Sequence, residues 1–532
     1  MATRSRASLI LLVALGLVGV GMGPSTSGFD LGVGAFEVGP RSALLWTRAV
    51  PAGPNRKSAS VWLEVASDPQ FTQGVRNKAV TLHAKHDFTA RANIGGLTPS
   101  TQYYYRFSNG TGQSAGGSFR TAPDASDPES LSFVISGDSN LGYTAPRGLD
   151  FHVLSAAAAE DPDFFVYYGD TIYADSGILP GGDAFTLAEY REVHRLTRGD
   201  PHLRTLLAAT ATYSGWDDHE VRNDYAGETV DPEQFENGAR AFFEYLPLRK
   251  NPQGPPYRID RSIRWGRHVE IFFLDGRQFR SEERFCNPDP IPDGPETADT
   301  LFSPFVEDEL IAVQVDPVIG PIAAALLLTP SDPDCVATEL EAPARTILGA
   351  DQLAELKQAL LRSDATFKII VNNTPLSSLF VAPYDRWEGY LAERQELLDF
   401  IGDNLDPSRT LVLTTDFHTN LAIARPELTE VIVGPIGQTT FAQSVAGIIA
   451  GLGLPPAILP VFLQLFDAVV DEGNGTGSVL GSAPDAFSYA RIDVQDVGGD
   501  ATLTLTVRGN PDYLAGANDP GDVVDLFSLS LP

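Results

Sequence analysis

Five apolar, strand-like runs in this chain each stop at a turn rich in carboxylate, amide or imidazole side chains, and that recurrence restricts the fold more than any other feature. The first runs from Phe133 to Ser136-Gly137-Asp138, the second from Phe164 to Gly169-Asp170-Thr171-Ile172-Tyr173. The third ends in Trp216-Asp217-Asp218-His219-Glu220, the fourth in Asn372-Asn373 and the fifth in Asp416-Phe417-His418. Unbroken β-branched and aromatic runs suit strands covered on both faces; with helical stretches between them, the expected class is a layered α/β fold. Apolar periodicity places the clearest helix over residues 384–404 and a second over 349–363.

In α/β sheets functional groups collect beyond the carboxyl ends of strands, so these turns are expected to meet although they lie far apart in sequence. A single Gly-Asp after a strand is ordinarily a turn or a helix cap. Repeated in succession, such turns gather carboxylates that repel one another and raise each other's pKa unless cations compensate them. A metal centre is the economical expectation.

Residues 29–123 have a different texture: short alternating segments at 43–48, 59–65 and 103–107, separated by Gly, Pro and Asn turns, as in a small β-sandwich. Residues 97–106, with Tyr103, Tyr104 and Tyr105 in a row, resemble the tyrosine-bearing corner of fibronectin type III domains. A Pro/Asp/Ser linker follows over 122–128. Residues 1–28 carry Arg4 and Arg6, an apolar run over 7–22 and then small residues, the order of an export signal. The run is shorter than the roughly 20 apolar residues of a spanning helix, so cleavage is expected over retention as an anchor, and the destination is periplasmic or extracellular.

Cys286 and Cys335 are the only cysteines, and in an exported chain the pair is expected to form a disulfide. They fall in an insertion near 281–345; a second insertion lies near 441–472. Both are unusually apolar, over 302–330 and 441–470, and helices packed over the core are the plain expectation, with a lid or a membrane-contacting surface as the alternative. The net charge of −31 opposes nucleic-acid backbones, which are excluded as partners. The chain has no Gly-rich phosphate loop, Cys-x-x-Cys pair or Gly-x-Ser-x-Gly elbow, which argues against kinase, zinc-ribbon and serine-hydrolase chemistry.

The order of blocks resembles the calcineurin-like metallophosphoesterases, and most closely the alkaline phosphatase D (PhoD-like) family. The blocks are Gly169-Asp170-Thr171-Ile172-Tyr173, Trp216-Asp217-Asp218-His219-Glu220, Leu274-Asp275-Gly276-Arg277-Gln278-Phe279-Arg280 and Trp387-Glu388-Gly389-Tyr390 with Arg394. Leu45-Trp46-Thr47-Arg48 and Phe119-Arg120-Thr121-Ala122-Pro123 fit the domain that family places ahead of its catalytic one. The resemblance implies a fibronectin/Ig-like β-sandwich over 29–123 and a four-layer α/β/β/α metallophosphoesterase domain over 129–532. It implies hydrolysis of phosphate esters, as phosphodiesterase or alkaline phosphatase, by metal-activated water.

Carried over by position, Asp170 bridges two metals, Asp138, Tyr173 and His418 complete the first site, and Asp218, Asp416 and Asn373 or Asn372 hold the second. His219 stabilises the transition-state charge or protonates the leaving oxygen. Arg277, Arg222 and Arg147 are candidate phosphate-binding cations, and Trp216 supports the site. Phenolate, carboxylates and one imidazole form a hard set suited to Fe(3+), the oxygen-rich second set suits Ca(2+), and this pair is also what the resemblance implies; other divalent metals are compatible. The family commonly has Cys where this chain has Asp138, and a carboxylate there makes the first site resemble purple acid phosphatases. The expected partner is a small phosphate ester or a wall- or lipid-linked phosphodiester, and the expected state is a monomer. The rival readings are a purple-acid-phosphatase-like monoesterase and a non-catalytic, calcium-stabilised surface binding protein.

Overall fold

The computed structural model describes residues 28–53, 55–249, 257–284, 333–379, 385–451, 453, 455–464, 466, 477–515 and 519–532. The expected export signal up to Ser27, Cys286 with its expected disulfide, the apolar stretch 302–330 and Tyr384 lie outside these residues.

The runs that end in polar turns are strands, divided between two sheets. Leu131–Ser136, Phe164–Tyr168 and Ala211–Gly215 are parallel neighbours in a nine-stranded sheet. Phe367–Val371 and Thr410–Thr414 are parallel neighbours in a seven-stranded one. Pairing of Val134 with Phe165 and of Phe165 with Thr212 brings the carboxyl ends of the first group level, and pairing of Ile370 with Val412 does the same for the second. All of Phe164–Tyr168, Ala211–Gly215 and Thr410–Thr414 is buried, which is why these runs lack polar alternation.

The two sheets face each other across one core. Phe164 stacks on Phe133 with centroids 4.6 Å apart and meets Trp265 of the opposite sheet at 4.6 Å, while Tyr168 stacks on Phe273 at 5.6 Å. Such ring pairs contribute roughly 0.5–1.5 kcal/mol each beyond the area they bury. On the other face of the seven-stranded sheet, Phe272, Ile370 and Val412 are covered by helices Ala350–Arg362 and Leu391–Asn404. Helices His152–Ala159 and Pro201–Ala209 contribute to the main core, the latter lying against strand Val33–Gly39. The helix expected over 384–404 begins only at Leu391, because Asp385 and Arg386 are drawn into the interior and Trp387–Gly389 forms a 3-10 turn before it.

The segment 29–123 does not stand apart. Strands Val33–Gly39, Ser42–Thr47 and Ala92–Gly95 extend the nine-stranded sheet through parallel pairing of Ala35 with Ala211. Arg76–His83, Ser58–Ala66, Gln102–Ser108 and Gly117–Arg120 form a separate four-stranded sheet. The alternation that identified these strands carries no information on their neighbours, so the shared sheet was not readable. The Tyr103 hydroxyl accepts the Thr98 N–H at 3.0 Å, the bond that defines a tyrosine corner.

Part of the second apolar insertion forms helix Phe441–Gly451. Phe441, Val445, Ile449, Phe462 and Phe466 turn inward against Phe417, Leu421 and Ile432, as the plain packing expectation had it. Among the described residues no helix is long and apolar enough to cross a membrane.

Glu37 and Arg261 tie the two large sheets together. Arg261 Nη2 donates to Glu37 Oε1 at 2.7 Å and to the Ser214 carbonyl at 3.0 Å, and its guanidinium lies 4.4 Å above the Phe273 ring. Removing one partner strands a buried charge, which costs about 3–5 kcal/mol. Glu37→Ala is therefore expected to lower the denaturation midpoint sharply in urea titrations followed by tryptophan fluorescence. Arg41→Ala, which breaks the exposed pair with Asp124, is expected to leave it nearly unchanged.

Candidate metal centre

The site begins with the backbone. Asp138, Asp170, Asp416 and His418 have φ of 57°, 47°, 72° and 48°, in the left-handed region that L residues seldom adopt. Each such residue costs on the order of 1 kcal/mol and persists only where its surroundings dictate it. Here the loops dictate one another. The Asp138 N–H donates to the Gly169 carbonyl at 3.2 Å, the Ser139 N–H to the Asp170 carbonyl at 3.0 Å, and the Asp416 N–H to Asp138 Oδ1 at 3.2 Å. A Cβ at Gly137 would strike the Tyr168 and Gly169 carbonyls, so only glycine permits this approach.

The side chains converge accordingly. Asp138, Asp170 and His418 bring ligand atoms within 4.8 Å of one another, and so do Asp170, Asp218 and His219. Asp170 belongs to both groups, the placement a bridging carboxylate requires. The Tyr173 hydroxyl lies 2.9 Å from His418 Nε2, and its ring stacks on His219 with centroids 4.1 Å apart. His219 Nε2 is 3.9 Å from Asp170 Oδ2, while its Nδ1 is 2.6 Å from Asp175 Oδ1. Asp175 also accepts the Asn223 N–H at 2.6 Å, so one carboxylate fixes both the imidazole and the loop beyond it. A third acidic group joins Asp218 to Asp224 and Asp385.

Two expectations change. Arg277 is 0% exposed, and its guanidinium is taken up by Asp217 at 2.5 and 2.9 Å and by Asp385 at 2.7 Å. It is a cation set within the acids, not an open fork for phosphate. Asn373 is also committed: its Oδ1 accepts the Gly276 N–H at 2.7 Å and its Nδ2 donates to the Trp216 carbonyl, so it holds the third and fourth turns together. The alternative, Asn372, donates to the Thr374 carbonyl and accepts the Asn373 N–H. Asp416 lies toward the arginines, with Oδ1 3.4 Å from Arg277 Nη2. Arg222 and Arg147 are exposed, and Arg147 stacks on Tyr143. Trp216 is buried, its Nε1 donating to Asp275 at 3.2 Å.

The residues that sequence reading missed are Asp175, Asp224, Asp385 and Arg386. Their signal was proximity to recognised blocks: Asp175 is two residues beyond Tyr173, and Asp385-Arg386 directly precedes Trp387.

Electrostatics favour a cation. Burial first, and then neighbouring carboxylates, push Asp138 and Asp170 well above the ordinary carboxylate range. Asp218 goes the other way: against its burial, Arg277 and His219 hold it low. Burial, assisted by His219, pulls His418 down to about 3, leaving a neutral imidazole suited to ligation. Burial opposes protonation of His219, but Asp175, Asp170 and Asp218 outweigh it and raise the ring well above its usual value. Asp138 Oδ2, Asp218 Oδ1 and Asp416 Oδ2 are buried without a hydrogen-bond partner. Oxygens left so are costly unless something else is bound to them.

The PhoD-like phosphatase family model matches residues 134–448, and the model of that family's N-terminal domain matches residues 21–123. The chain belongs to the PhoD-like phosphatases. This PhoD-like phosphatase is accordingly a phosphoesterase. It is 27% identical over 453 residues to alkaline phosphatase D of Bacillus subtilis (strain 168), covering 78% of this chain and 69% of that protein. An acid phosphatase of Aspergillus ficuum is 39% identical over 100 residues, 18% of this chain and 16% of that one. Among solved structures, PhoD is similar in fold with a TM-score of 0.71 at 21% identity, covering 95% of this chain and 93% of that one. A purple acid phosphatase from yellow lupin (Lupinus luteus) seeds follows at a TM-score of 0.50 and 11% identity, covering 94% and 73%.

Asp175 is expected to act through His219. Asp175→Asn should lower kcat by about 10–100-fold with KM little changed, measured on an aryl phosphate ester. Retention of the metal complement by elemental analysis separates this from loss of the site.

Proposed function

We propose that this phosphatase hydrolyses phosphate esters with water at a centre of two or more metal ions gathered by Asp170. The observation that carries the reading is the position of Asp170 in two ligand groups at once, with buried, unpartnered oxygens on Asp138 and Asp218 beside it. These residues fit a metal centre: hard oxygen donors, one phenol and a neutral imidazole, in a pocket that is electrostatically unfavourable without cations. Asp138, Asp170, Tyr173 and His418 would hold the first ion, and Asp170 and Asp218 the second, with Asp416 as a further candidate ligand there. Fe(3+) suits the first set and Ca(2+) the oxygen-rich second. When bound, the ions supply Lewis acidity, polarising the phosphoryl oxygens and acidifying the attacking water.

The chain's own residues do the rest. His219, held by Asp175 through Nδ1, presents Nε2 toward Asp170, where it can neutralise charge developing on a phosphoryl oxygen or give a proton to the leaving oxygen. Tyr173 stacks on His219 and limits its rotation. Arg277 orients Asp217 and Asp385 from within and keeps the acid array from repelling itself apart. Helices on the outer faces of the paired sheets support a four-layer arrangement, and the four-stranded sheet of residues 58–120, with strands Val33–Gly39, Ser42–Thr47 and Ala92–Gly95 at the edge of the nine-stranded one, is the part of 29–123 that bears on the fibronectin-like sandwich. We further propose that the chain is exported, from the order of residues 1–28, and that small phosphate esters or wall- or lipid-linked phosphodiesters are the substrates.

Elemental analysis of purified protein, paired with hydrolysis of aryl monoester and diester substrates, tests this reading. Asp170→Ala is expected to lose bound metal and about a thousandfold in kcat/KM, equivalent to roughly 4 kcal/mol of transition-state stabilisation. Full activity in chelated protein, or an unchanged metal content in Asp170→Ala, would overturn it. Bound metal with no ester hydrolysed at all would leave only a calcium-stabilised binding protein.

A further inference from the structure

Against the turn that carries Asp170 and Tyr173 lies a cavity of about 10 Å³, bordered by Thr171 and Ile172 of that turn, by Tyr167 of the strand before it, and by His194 and Arg198 of helix Leu187–Arg198. That is room for one body the size of a water molecule or a halide ion, and it excludes a phosphate group. No acidic residue lines it. Arg198 is 3% exposed, and among the described residues its hydrogen bonds are two long ones to carbonyls, from Nε to Leu31 and from Nη2 to Val33, each at 3.4 Å. Nη1 is buried without a hydrogen-bond partner, and so is His194 Nε2.

The guanidinium lies over two rings, 3.8 Å from the centroid of Trp46 and 5.7 Å from that of Phe36. Ring faces attract the charge, yet Nη1 still lacks an acceptor. Burial pulls Arg198 down to about 9, which leaves it charged at neutral pH. Burial, helped by Arg198 and Arg195, lowers His194 to about 3, so its ring is neutral and can carry its one proton on Nε2. The carboxylates around the cavity are turned elsewhere. Asp87 takes Arg195 at 2.7 Å and Arg48 at 3.0 Å, Asp200 caps the next helix through the His202 and Leu203 N–H groups at 2.9 Å, and Glu220 accepts the Thr171 and Asp217 N–H groups. A water molecule in this space would satisfy the donors but leave a buried charge unneutralised, which is costly away from solvent. A monatomic anion does both.

We propose that this cavity is a chloride site, in which Arg198 Nη1 and His194 Nε2 donate to one ion that ties helix Leu187–Arg198 to the turn bearing Asp170 and Tyr173. The inference does not depend on the roles assigned to the metal ligands. Full-length protein is dialysed into sodium gluconate, and chloride is restored at constant ionic strength. The thermal midpoint is expected to rise by at least about 2 °C as chloride saturates the site. Crystals grown with sodium bromide in place of chloride are expected to show an anomalous-scattering peak beside Arg198 Nη1. Arg198→Met should abolish the chloride-dependent shift. His194→Phe, which keeps a ring against Tyr245 where the imidazole stacks at 5.1 Å, should reduce it, and it carries the test if Arg198→Met does not fold. Three results overturn the proposal: equal midpoints in gluconate and chloride, a shift undiminished in His194→Phe and Arg198→Met, or a cavity without a bromide peak, which leaves it to water. Each leaves the catalytic assignment untouched.

Discussion

Arg277 is the charge that permits the rest of the site to exist. Asp217, Asp218, Asp385 and Asp416 all lie within ion-pair distance of its guanidinium, and no part of it reaches solvent. A group of buried carboxylates without such a cation would take up protons or drive the loops apart. With it, Asp218 and Asp385 are held low against their burial, while Asp138 and Asp170, farther from the arginine, are pushed up and Asp138 Oδ2 is left without a hydrogen-bond partner. The burial that makes the array costly also makes it selective for cations of high charge.

The backbone strain serves the same end. Left-handed Asp138, Asp170, Asp416 and His418 each turn the chain sharply out of a buried strand, so that the side chain points across the end of the sheet. Glu220 braces the arrangement, accepting from Thr171 N–H at 2.6 Å and from Asp217 N–H at 3.0 Å, which locks the second turn to the third. On the opposite side Phe417, between the two left-handed residues, packs on Phe441 and Phe466 at 4.9 and 6.0 Å. The apolar insertion thus fixes the loop that carries His418, and the Phe441 N–H donates to the His418 carbonyl at 2.9 Å. An insertion read as a candidate lid or membrane surface contributes at least this positioning.

Legibility in the sequence followed the range of the interaction. Asp138, Asp170, Asp218 and His418 were found because each ends an apolar run, a local pattern. Tyr173 was found from its distance to Asp170. Asp175 and Asp224 lie just as close to those blocks, but a carboxylate in a loop is commonplace, and only its partner gives it meaning. The reading of Arg277 as a phosphate contact failed for the same reason: an arginine near a site looks identical in sequence whether it faces solvent or four aspartates. Asn373 ends its strand as the others do, yet its amide is spent on Gly276 and Trp216. The merging of residues 29–123 with the nine-stranded sheet was likewise invisible, because edge pairing depends on which strand is available, not on composition.

The sequence by itself determined the strands, their burial on both faces, the helices between them and the polar turn at each strand end, because these follow from the order of apolar and polar residues along a few neighbouring positions. It also determined the family, since the motifs occur in the right order. Which carboxylates share an ion, which are neutralised by arginine and which nitrogen of His219 is free were decided only by the tertiary structure. Those properties depend on distances of a few ångströms between atoms up to about 280 residues apart, as in the Asp138 to Asp416 contact, and electrostatic energies buried from water change steeply over such distances.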